Sequence, residues 1–498
     1  MQLWEQARST QAGGPWLTYS DPAQAGWSAD KLKNAKQLFD EIGSSALLVI
    51  DRGAVAVAWG NVTTPYRCHS VRKSILSALY GIHIQQGSID INQTLAELGV
   101  DDKPPLTEQE RQAKVVHLLK ARSGIYHEAA SETVAMKKKR PVRGSHVPDT
   151  HWYYNNWDFN ALETILELAT GSTVFDEFEK QLAKPLRMED FIPALHTQVN
   201  KQEHISVHGA RHYRLSARDL ARFGLLYLQN GSFDHQQLIP ESWIQESTAP
   251  HSVMEELSRG YGYLWWRPLT GNWPELGMYE ARGVGGQHVT IIPKENLVLV
   301  HRVDTDSGRT VPGDQVLRLC QLIIEARTGA IVQAPPELIP LDVESEEINH
   351  LLSHYQSFHH SAKALTRISE EYWQHPLSAT SLSPLDLLAR MVNRDAKVLQ
   401  TLLADAHQET AAVGGQASQP QALSSPTELI GRFVEQREQL YSILQSLSPV
   451  DWKRTYSWKG REISVKAYFL TGIQLDYEQA QPLIRFFNKQ KELGTLNE

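Results

Sequence analysis

Cysteine is nearly absent: the 498 residues hold two, Cys68 and Cys320, in no CxxC pairing. That excludes a disulfide framework and a thiolate zinc site as organising devices. Long apolar runs are missing too. The longest patches, Ala46–Ile50 and Leu297–Val300, are strand-sized, well short of the roughly 20 residues a membrane-spanning helix needs. The opening Met1-Gln-Leu-Trp-Glu-Gln-Ala-Arg8 lacks a basic region followed by an apolar one, so no signal peptide is legible. The expected location is cytoplasmic, or periplasmic or secreted if a leader has been trimmed. Positive charge is not in excess: 49 Lys and Arg against 57 Asp and Glu give a formal net of -8, leaving no chain-wide footprint for DNA or RNA. GxSxG, HExxH, a GK phosphate loop and GxGxxG do not occur, which removes four familiar routes to chemistry. The expectation is no metal, no cofactor, and neither nucleic acid nor membrane as a partner.

What is present is a balance of 41% hydrophobic and 21% charged residues, enough for packed cores. Residues 1–332 read as mixed α/β. Strand-like runs (Ala46–Ile50, Ala54–Trp59, His288–Ile292, Leu297–Arg302) lie at both ends, and helical patterns (Ser70–Gln86, Phe159–Ala169, Ser216–Gln229) fill the middle. This predicts one antiparallel sheet built from the ends, with a helical subdomain. Prolines 335, 336 and 340 mark 333–344 as a stiff linker. Residues 345–498 read as an all-α four-helix bundle. In its clearest segment, Ser425-Pro-Thr-Glu428 predicts a capped helix start, and Leu429, Phe433, Leu440, Leu444 and Leu447 form one stripe.

SxxK occurs twice, at Ser28–Lys31 and Ser70–Lys73. Ser28 precedes an ordinary amphipathic pattern and reads as a helix cap. Ser70 opens a helix that is apolar on most sides (Ile75, Leu76, Ala78, Leu79, Ile82, Ile84) and ends at Gly87. A serine at that place has a backbone N–H free for an oxyanion, and Lys73 one turn on can reach its hydroxyl. The competing reading is a capping serine with a snorkelling lysine, and on these four residues alone it is the better one. The context shifts that balance. Trp152-Tyr-Tyr-Asn-Asn-Trp157 holds an overlapping pair of Tyr-x-Asn elements just before a helix. Ala281-Arg-Gly-Val-Gly-Gly-Gln287 runs into a strand, its glycines permitting close approach of a ligand.

With these elements in this order, residues 15–330 resemble the serine β-lactamase-related hydrolases, in the branch of class C β-lactamases, esterases and 6-aminohexanoate-oligomer hydrolases. Ser70–Lys73 matches SxxK. Tyr154-Asn-Asn156 matches YxN, with Phe159-Asn-Ala-Leu162 setting that register over one beginning at Tyr153. Leu118–Gly124, Arg214–Gly224 and Gly260–Trp266 add to the likeness. The resemblance implies a β-lactamase/transpeptidase-like fold. It implies Ser70 as acylated nucleophile and Tyr154, beside a charged Lys73, as the base. It implies Asn156 as orienter of Lys73 and substrate, and the N–H groups of Ser70 and Val284 as oxyanion hole, with Gly283 and Gln287 completing the substrate-binding strand. The third element, usually KTG or HxG, reads Ala281-Arg282-Gly283. Arg282 is expected on the opposite strand face, which disfavours β-lactam turnover more than hydrolysis in general. The expected substrate is a small ester or amide. The rivals are a β-lactamase or D,D-peptidase, and a binding or sensor protein without turnover.

Three further features complete the reading. His204, His208 and His212 have helical spacing but are interrupted by Gly209, so a polar loop is preferred to a metal site. Lys137–Arg143 reads as a solvated basic loop bordering the site. The C-terminal region more loosely resembles DinB-like bundles through Leu382–Arg390 and Gly472–Gln479, with Arg390, Leu475 and Gln479 where ligating histidines would stand. His350 and His354 are a pair at i, i+4 without a third ligand, and His359 and His360 splay apart. The apolar stripes of this bundle suit packing on the hydrolase domain or on a second copy.

Overall fold

The computed structural model describes residues 15–329, 336–343, 348–349, 351–352, 354–356, 373–374, 383–406, 425–458, 461–473 and 475–476; His350, His359, His360 and Gln479 lie outside them. The chain forms two compact units, Met1–Val343 and Glu344–Glu498.

The first unit is organised by a ten-stranded sheet. Its strands are β1 (Leu17–Tyr19), β2 (Ala46–Asp51), β3 (Ala54–Gly60), β4 (Ser252–Met254), β5 (Arg259–Tyr261), β6 (Trp266–Pro268), β7 (Tyr279–Gly283), β8 (Gln287–Ile292), β9 (Leu297–Arg302) and β10 (Leu338–Pro340). In space they run β10-β1-β3-β2-β9-β8-β7-β6-β5-β4. Chain ends thus meet in the middle of the sheet, β9 pairing with β2. One pairing departs from the expected antiparallel pattern: β1 meets β3 in parallel through Thr18 and Val55. The helix α1 (Ala29–Glu41) and β2 lie between them in sequence and supply the crossover that a parallel pair requires.

Every residue of β2 and β9 is buried, which is why they read as continuous apolar runs rather than alternating ones. Leu48, Ile50, Val298 and Val300 join a core with the helices α2 (Val71–Gln85), α3 (Asn156–Thr170) and α4 (Ala217–Leu228). Leu47, Val49, Leu297 and Leu299 face the other way, onto α1 and α5 (Gly313–Glu325). Ser28 caps α1 by accepting from the Lys31 N–H, so the first SxxK is local helix chemistry.

The expected linker is corrected in part. Leu338–Pro340 is an edge strand paired with Leu17–Tyr19. Proline is tolerated there because an edge strand has one side of its backbone unpaired.

In the second unit the described residues include α6 (Pro384–Ala406), α7 (Pro426–Ser446) and helical segments within 348–356 and 465–476. Ser425 accepts from the Glu428 N–H and Pro426 takes the first position of α7, whose Leu429, Phe433, Leu440 and Leu444 are buried. Leu447 is the residue just past the helix. Arg437 is buried within the same stripe. The all-helical expectation fails at Thr455–Trp458 and Arg461–Ser464, an antiparallel hairpin in a segment whose aromatic and β-branched residues suit a pleated ribbon. Among the described residues no helix is long and apolar enough to cross a membrane.

Candidate active site

Ser70 begins α2 without behaving as a cap. A capping serine has extended backbone angles and accepts an N–H one turn on. Ser70 has φ -77° and ψ -6° and makes no such bond. Its Oγ instead lies 2.9 Å from Lys73 Nζ, in a hydrogen bond. Lys73 does not snorkel: it is 3% exposed, with its ammonium nitrogen 4.8 Å from the centre of the Phe159 ring and 5.1 Å from that of Tyr154. Burial pushes the amine well below its usual pKa. Arg72 pushes the same way and Glu163 opposes.

Tyr154 is set by the helix that follows it. Asn155 caps α3, its Oδ1 accepting from the Trp157 N–H at 3.1 Å, while its Nδ2 donates to Ile125 O and Asp158 Oδ1. The phenol belongs to the residue before, and the Ser70 side chain is near enough to lower its pKa. Tyr153 turns elsewhere and donates to Met136 O at 2.9 Å. The Tyr154 ring stacks on Trp266 at 5.5 Å and leans on Phe159 at 4.9 Å and Tyr261 at 6.1 Å. Burial raises its pKa to about 12, against the pull of Ser70, Arg72 and Arg282. Burial therefore acts against the expected order of proton affinities. The low-dielectric pocket disfavours both charged forms, ammonium and phenolate, so the lysine loses its proton more readily and the tyrosine less so.

Asn156 Nδ2 donates to Ser131 O at 2.8 Å, and its buried Oδ1 has no partner among the described residues. Gly283 ends β7 where a Cβ would sit 2.5 Å from Cys68 O and 3.2 Å from the His69 Cβ. Only glycine lets the strand lie this close to the two residues before Ser70. Val284 follows at the turn into β8. Gln287 does not join the site. Its side chain is fully buried, donating to Val303 O at 2.8 Å and accepting from Val303 N. Both ends of the amide are spent on Val303, just past β9, so the substrate-binding role expected for it is corrected to a structural one.

Ala281 is buried against the α2 side of the sheet. Arg282 projects with Glu280, 3.5 Å away, and lies 6.0 Å over the Trp266 ring. Although it leaves Ala281's face, its charge still lowers the Tyr154 pKa.

Several residues of this neighbourhood had no role in the sequence reading. Arg72 and Glu163 form a buried ion pair, and Arg72 also donates to Asn160 Oδ1 at 3.2 Å. The available signal was a lone arginine and a lone glutamate on otherwise apolar faces of α2 and α3. Trp266 and Tyr261 wall the phenol. His69, next to the nucleophile, has φ +47° and hydrogen-bonds Thr305 Oγ1 through Nε2 at 2.8 Å; a non-glycine residue in that region stores backbone strain.

The histidine series does not share a helix. His204 is in a turn, His208 Nδ1 meets Thr164 Oγ1 at 3.0 Å, and His212 lies on the strand Ala210–Leu215 with Nε2 2.9 Å from Ser131 Oγ. Among the described residues no group of three or more His, Cys, Asp or Glu could hold a metal ion. Lys137–Lys139 end a short exposed helix, whereas Arg140 pairs with Glu132 and Arg143 with Glu110.

Comparison with known proteins gives a consistent picture. The family model described as Beta-lactamase matches residues 33–318. An uncharacterized protein of Alkalihalophilus pseudofirmus is 22% identical over 306 residues, covering 54% of this chain and 86% of that one. Similar solved structures include a candidate 6-aminohexanoate-dimer hydrolase from Bacillus anthracis, at 19% identity and TM-score 0.46, covering 58% of this chain and 80% of that one. The octameric penicillin-binding protein homologue from Pyrococcus abyssi aligns at 15% identity and TM-score 0.44, covering 65% and 81%.

Proposed function

The chain belongs to the beta-lactamase family, and from that premise we propose that it hydrolyses an ester or amide through an acyl-enzyme on Ser70. Its first unit has the β-lactamase/transpeptidase-like fold, a serine-hydrolase scaffold. The observation that carries the reading is the Ser70 hydroxyl, withheld from helix capping and held 2.9 Å from a buried lysine. A structural serine–lysine pair at a helix start would show the opposite pattern, a capped N–H and an exposed ammonium.

The chemistry follows from the protonation order. Lys73, its proton loosened by burial, takes the Ser70 proton as Oγ bonds to the substrate carbonyl carbon. The negative charge developing on the carbonyl oxygen accepts hydrogen bonds from the backbone N–H groups of Ser70 and Val284. Collapse breaks the bond to the leaving group, which takes the Tyr154 phenol proton; Lys73 returns a proton to Tyr154. Water then repeats the sequence on the acyl-enzyme. Unpartnered Asn156 Oδ1 offers an acceptor to a donor on the substrate. This amends the role expected for Lys73: it acts as an amine base rather than as a fixed charge beside a phenolate.

Labelling with a fluorophosphonate, followed by peptide mass spectrometry, tests the proposal. The adduct is expected on Ser70; an unlabelled Ser70 beside a labelled serine elsewhere would end it, and no labelling at all would favour a binding protein on this scaffold.

Substrate preference follows from the third element. Ala281 is buried and carries no cation to hold a β-lactam carboxylate, while Arg282 is drawn to Glu280 and Trp266. p-Nitrophenyl butyrate is therefore expected to show a higher kcat/KM than nitrocefin. The reverse order would make the protein a β-lactamase in activity as well as in family.

A further inference from the structure

A line of polar side chains starts in the active site and runs along α3. Asn156, Asn160 and Glu163 fall at i, i+4 and i+7 on one helix face, and all three are buried. Asn156 Nδ2 donates to Ser131 O, and Asn160 Nδ2 to Ala130 O at 3.2 Å. Arg72, also buried, reaches this line from α2. Its Nη1 pairs with Glu163 Oε1, and its Nη2 donates to Asn160 Oδ1 at 3.2 Å. Glu163 Oε2 accepts in turn from the backbone N–H of Arg211 at 3.0 Å, on the strand Ala210–Leu215. The guanidinium is thus fixed by α3 at two nitrogens, and the carboxylate that holds it is fixed by a further element.

Arg72 and Lys73 are consecutive, so two basic side chains are buried together at the start of α2. Stability alone does not call for this. A buried ion pair can often be exchanged for apolar side chains of similar volume without loss, sometimes with a gain. What apolar side chains cannot supply is an electric field at the Lys73 amine. Among the described residues, the titratable groups around that amine are Tyr154, Glu163 of α3, His212 of the strand Ala210–Leu215 and, beside Ser70, His69. Asp158 of α3 is turned to Ser123. On β7, Ala281 packs on this side while Glu280 and Arg282 pair with each other. Burial keeps both histidines neutral, lowering His69 to about 4 and, with Arg72 as second cause, His212 to about 2. Arg72 and Glu163 act on Lys73 by charge, the first disfavouring its ammonium and the second favouring it.

We propose that Arg72 and Glu163 are positioning residues for the hydrolysis: Arg72, pinned by Glu163 and Asn160, is the fixed cation that together with burial keeps Lys73 a free amine, and Glu163 limits how strongly it does so. The proposal rests on the reading of Lys73 as an amine base. Neither residue touches substrate. The pair acts by charge on Lys73, and its tie to Asn160 belongs to the same line of bonds that holds Asn156 against Ser131. Arginine suits the task because a guanidinium stays ionised where a second lysine would lose its proton.

The pH dependence of kcat/KM for p-nitrophenyl butyrate, measured on the full chain, tests it, because that profile reports the groups of the free enzyme. Glu163→Gln removes the anion that favours the ammonium, so its rising limb is expected about one pH unit below the parent's. Arg72→Met removes the cation that disfavours it, so its limb is expected about one pH unit above. A purely structural pair would lower activity at every pH and leave the limb in place; that result overturns the proposal, as do shifts of the same sign in both variants. Each single change strands a buried partner and costs stability. The double variant Arg72→Met, Glu163→Leu strands no charge and is expected to fold as well as the parent. Its limb should lie above the parent's, since Arg72 is the larger of the two influences, and an unmoved limb there also overturns the proposal. Lys73→Met separates this inference from the reading beneath it. If that variant keeps the parent's limb, Lys73 is not the titrating base and both fall. If it loses the limb while the Arg72 and Glu163 variants keep theirs in place, the role of the pair alone is refuted.

Discussion

Ser70→Ala is expected to lower kcat/KM for p-nitrophenyl butyrate by about 10⁴-fold or more, roughly 5 kcal/mol of transition-state stabilisation. Without Oγ no acyl-enzyme forms, and what remains is binding and oxyanion stabilisation by backbone groups. The same substitution should leave folding stability within about 1 kcal/mol of the parent, because loss of a serine cap is what costs more and Ser70 is not a cap. Activity and stability therefore separate at this residue. A variant that keeps full esterase activity contradicts the nucleophile assignment. One that instead loses much of its Tm shows Ser70 to be a structural residue.

Lys73→Met should lower kcat by about 10²–10⁴-fold, the usual contribution of a positioned base. Methionine approximates the length of lysine and has no amine to desolvate, so this variant should fold as well as the parent or better. The pH profile distinguishes the two bases. Burial, reinforced by Arg72, lowers the Lys73 pKa from 10.5, so a neutral-amine base gives activity that rises with pH through a value below 10.5. Tyr154, raised to about 12 by burial, stays protonated as pH rises through the neutral and mildly alkaline range. The plateau should accordingly extend past pH 10. A falling limb between pH 7 and 9 would mean that a charged lysine is required and that the phenolate is the base after all.

Much of this site was legible in the chain. The apolar helix after Ser70, the Tyr-x-Asn element before α3 and the glycine ending β7 are local patterns with local causes. The two tyrosines are adjacent and chemically identical, and only the register set by Phe159–Leu162 favoured Tyr154; in the structure Tyr153 donates to Met136 O, while the Tyr154 ring packs on Trp266 and Phe159. Gln287 shows where local pattern runs out. Its place beside the glycine turn suggested a substrate contact, but Val303, sixteen residues on, takes both ends of its amide. The edge strand at Leu338–Pro340 was hidden for a similar reason, since three prolines read as linker until β1 offered a partner.

By itself the sequence determined the local grammar: which segments alternate or run apolar, where helices begin, and which serine has a lysine one turn away. Ser28 and Ser70 carry the same SxxK spelling, and burial pattern alone separated surface cap from core helix. Tertiary structure alone decided the direction in which the Lys73 and Tyr154 pKa values move. Desolvation depends on everything that closes around a group. Phe159, Tyr261 and Trp266 come from α3, β5 and β6, while Arg72, Glu163 and Arg282 supply fields from three different elements. No short window of sequence contains that sum, which is why an amine and a phenol could be found in the chain but their charges could not.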